Sequence, residues 1–184
     1  KTTLLRILAT LSRPTGGRVT VDGLDAGQQA NAIRQRIGFL SHQPLLYEDL
    51  SAEENLSFYG RMYGVPNLED RIANLLEQVG LGLRQFDQVR TFSRGMKQRL
   101  AIARVLLHAP PILLMDEPYT GLDEQASGML DALVANRAAT KRTVVLTTHD
   151  AERGLRSGDR AALLVGGRIA YAMDQSNWDP AGFL

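Results

Sequence analysis

Ile112-Leu113-Leu114-Met115-Asp116-Glu117 is the stretch on which the reading of this chain turns. Four apolar residues in a row, too few for a helix, form the pattern of a strand buried on both faces. The run ends in two carboxylates, at the edge where open α/β sheets bind their ligands. Asp116 can hold Mg²⁺ directly or through water, and Glu117 can polarise a water for attack on a phosphoryl group. The same two acids also suit a solvated turn after a strand, and the hexapeptide alone does not separate the two readings.

Working outward, Thr143-Val-Val-Leu-Thr147 is a second run of the same kind, expected to be buried and followed by Thr148-His149-Asp150. Ile37-Gly-Phe-Leu-Ser41 is a third, shorter strand, broken by His42-Gln43-Pro44. Apolar patterning predicts helices over Thr2–Leu11, Leu68–Val79, Met96–Leu107 and Gln125–Ala138, while Ala30–Arg36 reads as a short polar helix and Ala151–Gly158 as another short helix. Ser51-Ala-Glu-Glu54 is a capping box that opens another helix, stopped by Gly64-Val-Pro66. Arg18–Asp22 alternates as a strand closed by Asp22-Gly23, and Ala161–Val165 with Arg168–Tyr171 forms a hairpin around Gly166-Gly167. Buried strands separated by helices imply an α/β fold with a largely parallel sheet, while the middle of the chain reads as all helix.

Four further segments could carry chemistry. Lys1-Thr2-Thr3 opens a helix, as a phosphate-binding loop does after its glycines, and equally as any ordinary helix start does. Phe92-Ser93-Arg94-Gly95-Met96 places a small hydroxyl residue and a glycine at a helix N-terminus, which suits either an anion site or a plain cap. His149 and Gln43 each follow a strand. There a polar side chain can touch a phosphate or serve as a structural histidine and a loop glutamine.

Composition excludes several function classes. The 184 residues contain no cysteine, so disulfides, thiolate metal sites and cysteine nucleophiles are ruled out. The 21 Lys and Arg balance 20 Asp and Glu to a net charge of +1, which gives no support to a nucleic-acid partner or a polybasic membrane anchor. The apolar runs fall far short of the ~20 residues of a membrane helix, and nothing reads as a signal peptide.

The order of these segments, with Gly121-Leu122-Asp123 between the acids and His149, resembles the ATP-binding-cassette (ABC) ATPases over essentially the whole chain. On that resemblance Lys1-Thr2-Thr3 is the tail of Walker A, Gln43 the Q-loop and Phe92–Met96 the signature. Ile112–Glu117 is then Walker B, Thr120–Asp123 the D-loop and His149 the switch histidine. The resemblance implies a RecA-like P-loop NTPase core over residues 1–45 and 101–184, with an inserted helical lobe over 46–100. It implies ATP and Mg²⁺ as ligands. Lys1, Thr2, Thr3, Ser93, Gly95 and Asp123 would bind nucleotide, Thr2, Gln43 and Asp116 would serve the metal, and Glu117, His149 and Gln43 would be catalytic. Two such subunits would meet head to tail with ATP between the Walker A of one and the signature of the other. They would drive a separate membrane subunit from the cytoplasmic face of the inner membrane, with no nucleic acid involved. Tyr47, Leu50, Phe58, Tyr59 and Tyr63 are either part of the surface that meets this subunit or core of the helical lobe.

Within the family, Gly38–Pro44, Thr91–Met96 and Asp116–Asp123 look most like the haem-exporter ATPases of cytochrome c maturation. Drug, ion and polysaccharide exporter ATPases are similar, and a soluble ABC protein working on ribosomes or DNA, or an inactive binding module, are the alternatives from other classes. Two departures stand out. The usual Leu-Ser-Gly-Gly-Gln signature is Phe92-Ser-Arg-Gly-Met96 here. The chain also starts inside Walker A, so as given it is expected to bind ATP poorly and to leave strand edges unpaired and prone to aggregate.

Overall fold

The computed structural model describes residues 1–174, and the last ten positions of the expected catalytic core, 175–184, lie outside the described residues. Its centre is a three-stranded parallel sheet in the order β3 (Ile37–Leu40), β4 (Ile112–Asp116), β5 (Thr143–Thr147). The register pairs Leu40 with Met115 and Asp116 with Thr147, so all three strands end at one edge. β4 lies between its two neighbours, and Leu113, Leu114, Met115 and Asp116 are all buried, as the apolar run demands.

The expectation that Thr143–Thr147 is buried on both faces is corrected. Among the described residues β5 pairs only with β4 and so stands at the sheet edge, and Thr143 and Val145 on one face are exposed while Val144 and Leu146 are half-buried. Apolar β-branched composition fits both a central and an edge strand; only the pairing tells them apart.

Helix α1 (Thr2–Leu8) packs on β4, with Leu5 and Ala9 buried beside Leu114 and Ile33 of α2 (Ala30–Arg36). It is one turn shorter than its apolar spacing suggests, because Thr10 takes a left-handed conformation (φ 58°) and closes it. The first strand shrinks to β1 (Thr20–Val21), paired with β2 (Leu24–Asp25) through an Asp22-Gly23 turn in which both φ angles are positive, 51° and 76°. That is the two-residue hairpin turn that Asp-Gly favours.

Helices α3 (Ala52–Tyr63) and α4 (Leu68–Gln78) pack on each other and on α5 (Arg94–Leu106). Their contact encloses a separate apolar core that includes Leu56, Ile72, Leu75, Leu76, Leu100 and Leu107. Both hydrogen bonds of the Ser51/Glu54 capping box form, at 2.7 and 3.1 Å. The other side of α5 belongs to the sheet: Ala101, Ile102 and Val105 lie against Leu40, Leu113 and Met115. Gly38 of β3 permits this, since a Cβ there would come within 2.8 Å of Val105, Leu113 and Pro110. α6 (Glu124–Ala135) covers the same core through Leu130. The chain continues into α7 (Ala151–Ser157) and an antiparallel hairpin of β6 (Arg160–Val165) and β7 (Arg168–Asp174).

A candidate nucleotide site at the sheet edge

The carboxyl edge of the sheet gathers four of the candidate residues. Asp116 ends β4 and is 4% exposed. Because its strand partner is Thr147, the Thr147 hydroxyl donates to its Oδ1 at 2.7 Å. That fixes one carboxylate oxygen and leaves the other to be used at the edge. Glu117 continues the ladder by one bond, its N–H donating to the Thr147 carbonyl at 3.1 Å. It then turns sharply, with φ 50°. A left-handed non-glycine residue is uncommon, and before a proline the chain normally stays extended. Strain of this kind costs about 1–3 kcal/mol and persists where its surroundings over-determine it.

The surroundings are His149 and Lys1. Oε2 of Glu117 accepts from the His149 backbone N–H at 3.2 Å and lies 2.8 Å from its Nδ1. The Lys1 ammonium donates to the Thr148 carbonyl and stands 3.9 Å from Oε1 of Glu117. The start of α1 is thereby placed against the ends of β4 and β5. Thr2 and Thr3 are the first residues of that helix and are exposed.

The remaining candidates form a second group. Ser93 caps α5, its hydroxyl accepting from the Met96 N–H at 3.2 Å. Asp123 caps α6, accepting from the Ala126 N–H at 2.8 Å. Gly95 lies directly under Asp123, where any Cβ would overlap the carboxylate. Gln43 is exposed and lines an open cleft of about 610 Å³ with Arg94, Lys97, Gln98 and Thr120. So Lys1, Asp116, Glu117 and His149 converge, whereas Ser93, Gly95 and Asp123 converge with one another.

Two participants were not singled out from the sequence. The Thr147 side chain orients Asp116, and the Thr148 carbonyl holds Lys1. Only the pairing of β5 with β4, across 31 positions, brings Thr147 to Asp116.

The family described as ABC transporter matches residues 1–120, close to two thirds of the chain. The chain belongs to this ABC transporter family. It is 36% identical over 93% of its length to the ABC transporter ATP-binding protein NatA of Bacillus subtilis, of which it covers 71%. It is 39% identical over 91% of its length to a Nod factor export ATP-binding protein I of Cupriavidus pinatubonensis, of which it covers 52%. Most of the other curated relatives are likewise matched over about half their length. A solved dimer of the ATP-binding cassette MJ0796, in a post-hydrolysis state bound to ADP and Pi, superposes with a TM-score of 0.85 at 28% identity. That match covers 96% of this chain and 81% of the solved one. The fold is therefore that of the ABC ATPase cassettes, α/β with a parallel sheet, and the chain is an ATP-binding, ATPase-type member of the family. Among the described residues no helix is long and apolar enough to cross a membrane.

Proposed function

We propose that this chain is the ATP-hydrolysing subunit of an ABC exporter, acting at the cytoplasmic face of the inner membrane through a separate membrane-embedded subunit. The observation that carries the reading is the Glu117 carboxylate, turned out of line at the end of β4 and held by His149 beside Lys1 and the buried Asp116.

Each residue then has a task. Glu117 takes the proton of the attacking water. His149 holds Glu117 through its backbone N–H and its Nδ1, which orients the base, and also contacts the γ-phosphate. Lys1, with Thr3 beside it, neutralises phosphate charge. Ser93 and Gly95 of one subunit, with Asp123, complete the nucleotide site of the other in a head-to-tail dimer, for which the solved MJ0796 dimer is the relevant likeness. Gln43 reports phosphate occupancy to the cleft it lines.

The donors suit Mg²⁺. Among the described residues no group of three or more acidic, His or Cys side chains is placed to hold a metal ion by itself, and Mg²⁺ usually binds one or two carboxylates plus substrate phosphates. Asp116, Thr2 and Gln43 offer only hard oxygen donors and would hold it. Bound there, the ion would neutralise charge developing on the phosphates.

Residues 46–100 are proposed as the inserted helical lobe and 1–45 with 101–184 as the catalytic core. The lobe presents Tyr47 and Phe58, both close to half exposed, whose rings meet edge to face at 5.0 Å. Tyr59 is half-buried and packs against both rings, and Tyr63 is half-buried. This aromatic face is the proposed contact with the membrane subunit, since Tyr and Phe are favoured anchors at interfaces. Export as the direction is supported by the relative named for Nod factor export. Haem as the cargo rests on the motif resemblance alone, and the relatives named above carry other names.

The test is ATP hydrolysis by the complete protein together with its membrane subunit. Turnover should rise with the transported compound present, with haem and amphipathic organic molecules as separate arms. Absence of hydrolysis, or association only with ribosomes or DNA, would overturn the reading.

A further inference from the structure

We propose that Arg94 is a positioning residue that interlocks the signature turn of this chain with its own 120–123 turn. The inference rests on the reading above, in which both segments face the partner subunit's nucleotide.

Two consecutive residues of the signature turn meet both ends of the second turn. Arg94 lies face-on against Gly121: a Cβ built there would overlap Nη2, Cζ and Nε of the guanidinium together. Gly121 has φ 72°, a left-handed backbone that glycine adopts without strain, and its lack of a Cβ makes the space for the guanidinium. One position along, the roles are exchanged: Gly95 is the bare residue, and the Asp123 carboxylate lies over it. Asp123 is not free to move away, because its Oδ1 caps α6 at 2.8 Å. Arg99 of the same helix as Arg94 approaches its Oδ2 at 4.0 Å. The result is a reciprocal pair, with a side chain from each turn seated on a glycine of the other.

The departure from the usual signature creates half of this pair. With the glycine that the family resemblance places at position 94, Gly121 would be uncovered and the two turns would touch only at Gly95. The arginine adds a flat, charged lid that also borders the cleft lined by Gln43 and Thr120. The signature turn cannot then advance on a nucleotide without carrying the 120–123 turn with it.

The steric relation is testable by a double-mutant cycle. Asn tolerates a left-handed backbone, so Gly121→Asn reports mainly on the overlap with Arg94. In the complete subunit carrying Glu117→Gln, Gly121→Asn should weaken ATP-driven dimer formation by about tenfold or more with Arg94 present, and by less than about threefold in an Arg94→Gly background. Thermal midpoints should stay within about a degree across the set, since surface changes of this kind are usually small. Equal weakening in both backgrounds, no weakening, or losses that track the thermal midpoint would overturn the proposal. A readout without nucleotide accompanies it: Arg94→Gly should speed amide exchange at 121–123 and leave α4 unchanged. If the unsubstituted protein formed no ATP-driven dimer, the proposed function would fail. Unchanged exchange at 121–123 would overturn the interlock by itself.

Discussion

Glu117 is the residue on which the chemistry is staked, and its backbone is as unusual as its position. The left-handed turn before Pro118 brings Oε2 to His149, and the pairing is short enough to set the imidazole's orientation. Glu117→Gln keeps the shape and removes the base. Turnover should be abolished, by about 10²-fold or more, the scale of a lost general base, while ATP-bound dimers still form. Steady-state hydrolysis and size-exclusion chromatography with ATP check both halves, and ordinary turnover by this variant rules out the base assignment. At the same scale, Thr147→Val leaves a buried Asp116 oxygen unpaired. An unsatisfied buried group costs about 1–3 kcal/mol, so chemical denaturation should show a loss of that size together with weakened Mg²⁺-dependent ATP binding. Asp116 and Glu117 were legible because a strand end and its acids are contiguous in sequence. Thr147 was not, because it meets Asp116 only across 31 positions of sequence, and Arg94 stood out only as a departure from the usual signature.

Among the elements, α3 shows what local sequence does specify. Its start needs only Ser51 and Glu54, three residues apart, and both reciprocal bonds are present. Ser51→Ala should cost about 1 kcal/mol, read as a shift of a few degrees in thermal midpoint, with Glu54→Ala adding little on top because the two act as one cap. α1 and β1 were over-read for the opposite reason. Their apolar spacing continues past Leu8 and begins before Thr20, but Thr10 and the Asp22-Gly23 turn end the regular backbone sooner. β5 was read as buried because Val and Leu fill it; its place at the edge is a property of the sheet.

Across the whole molecule, two basic side chains, Arg104 and His108, join the helical region to the sheet. Arg104 is 8% exposed, its Nη2 donates to the Phe39 carbonyl at 3.1 Å, and its guanidinium covers the Tyr59 ring at 5.1 Å. His108 stacks on Tyr63 with ring centres 3.9 Å apart and places Nε2 3.2 Å from the Ile37 carbonyl. Burial holds the His108 imidazole below its ordinary pKa and the Arg104 charge adds to this, while the Ile37 carbonyl opposes it. The folded state therefore favours neutral His108. Its contribution to stability is complete above about pH 6.5, the unfolded value, and is lost as pH falls through the lower folded value. Thermal midpoints should drop between pH 7 and pH 5.5, and His108→Gln should reduce that drop; an unchanged pH slope in the variant would falsify the assignment. α5 stands between the regions these groups join. Leu100, Ala103 and Leu107 at its end serve one core, and Ala101, Ile102 and Val105 serve the other. A single residue inserted into α5 would rotate everything beyond it by about 100°, handing each core the side chains meant for its neighbour. Related cassettes can thus vary in length through their loops, but the thirteen residues of α5 form a frame whose phase cannot slip.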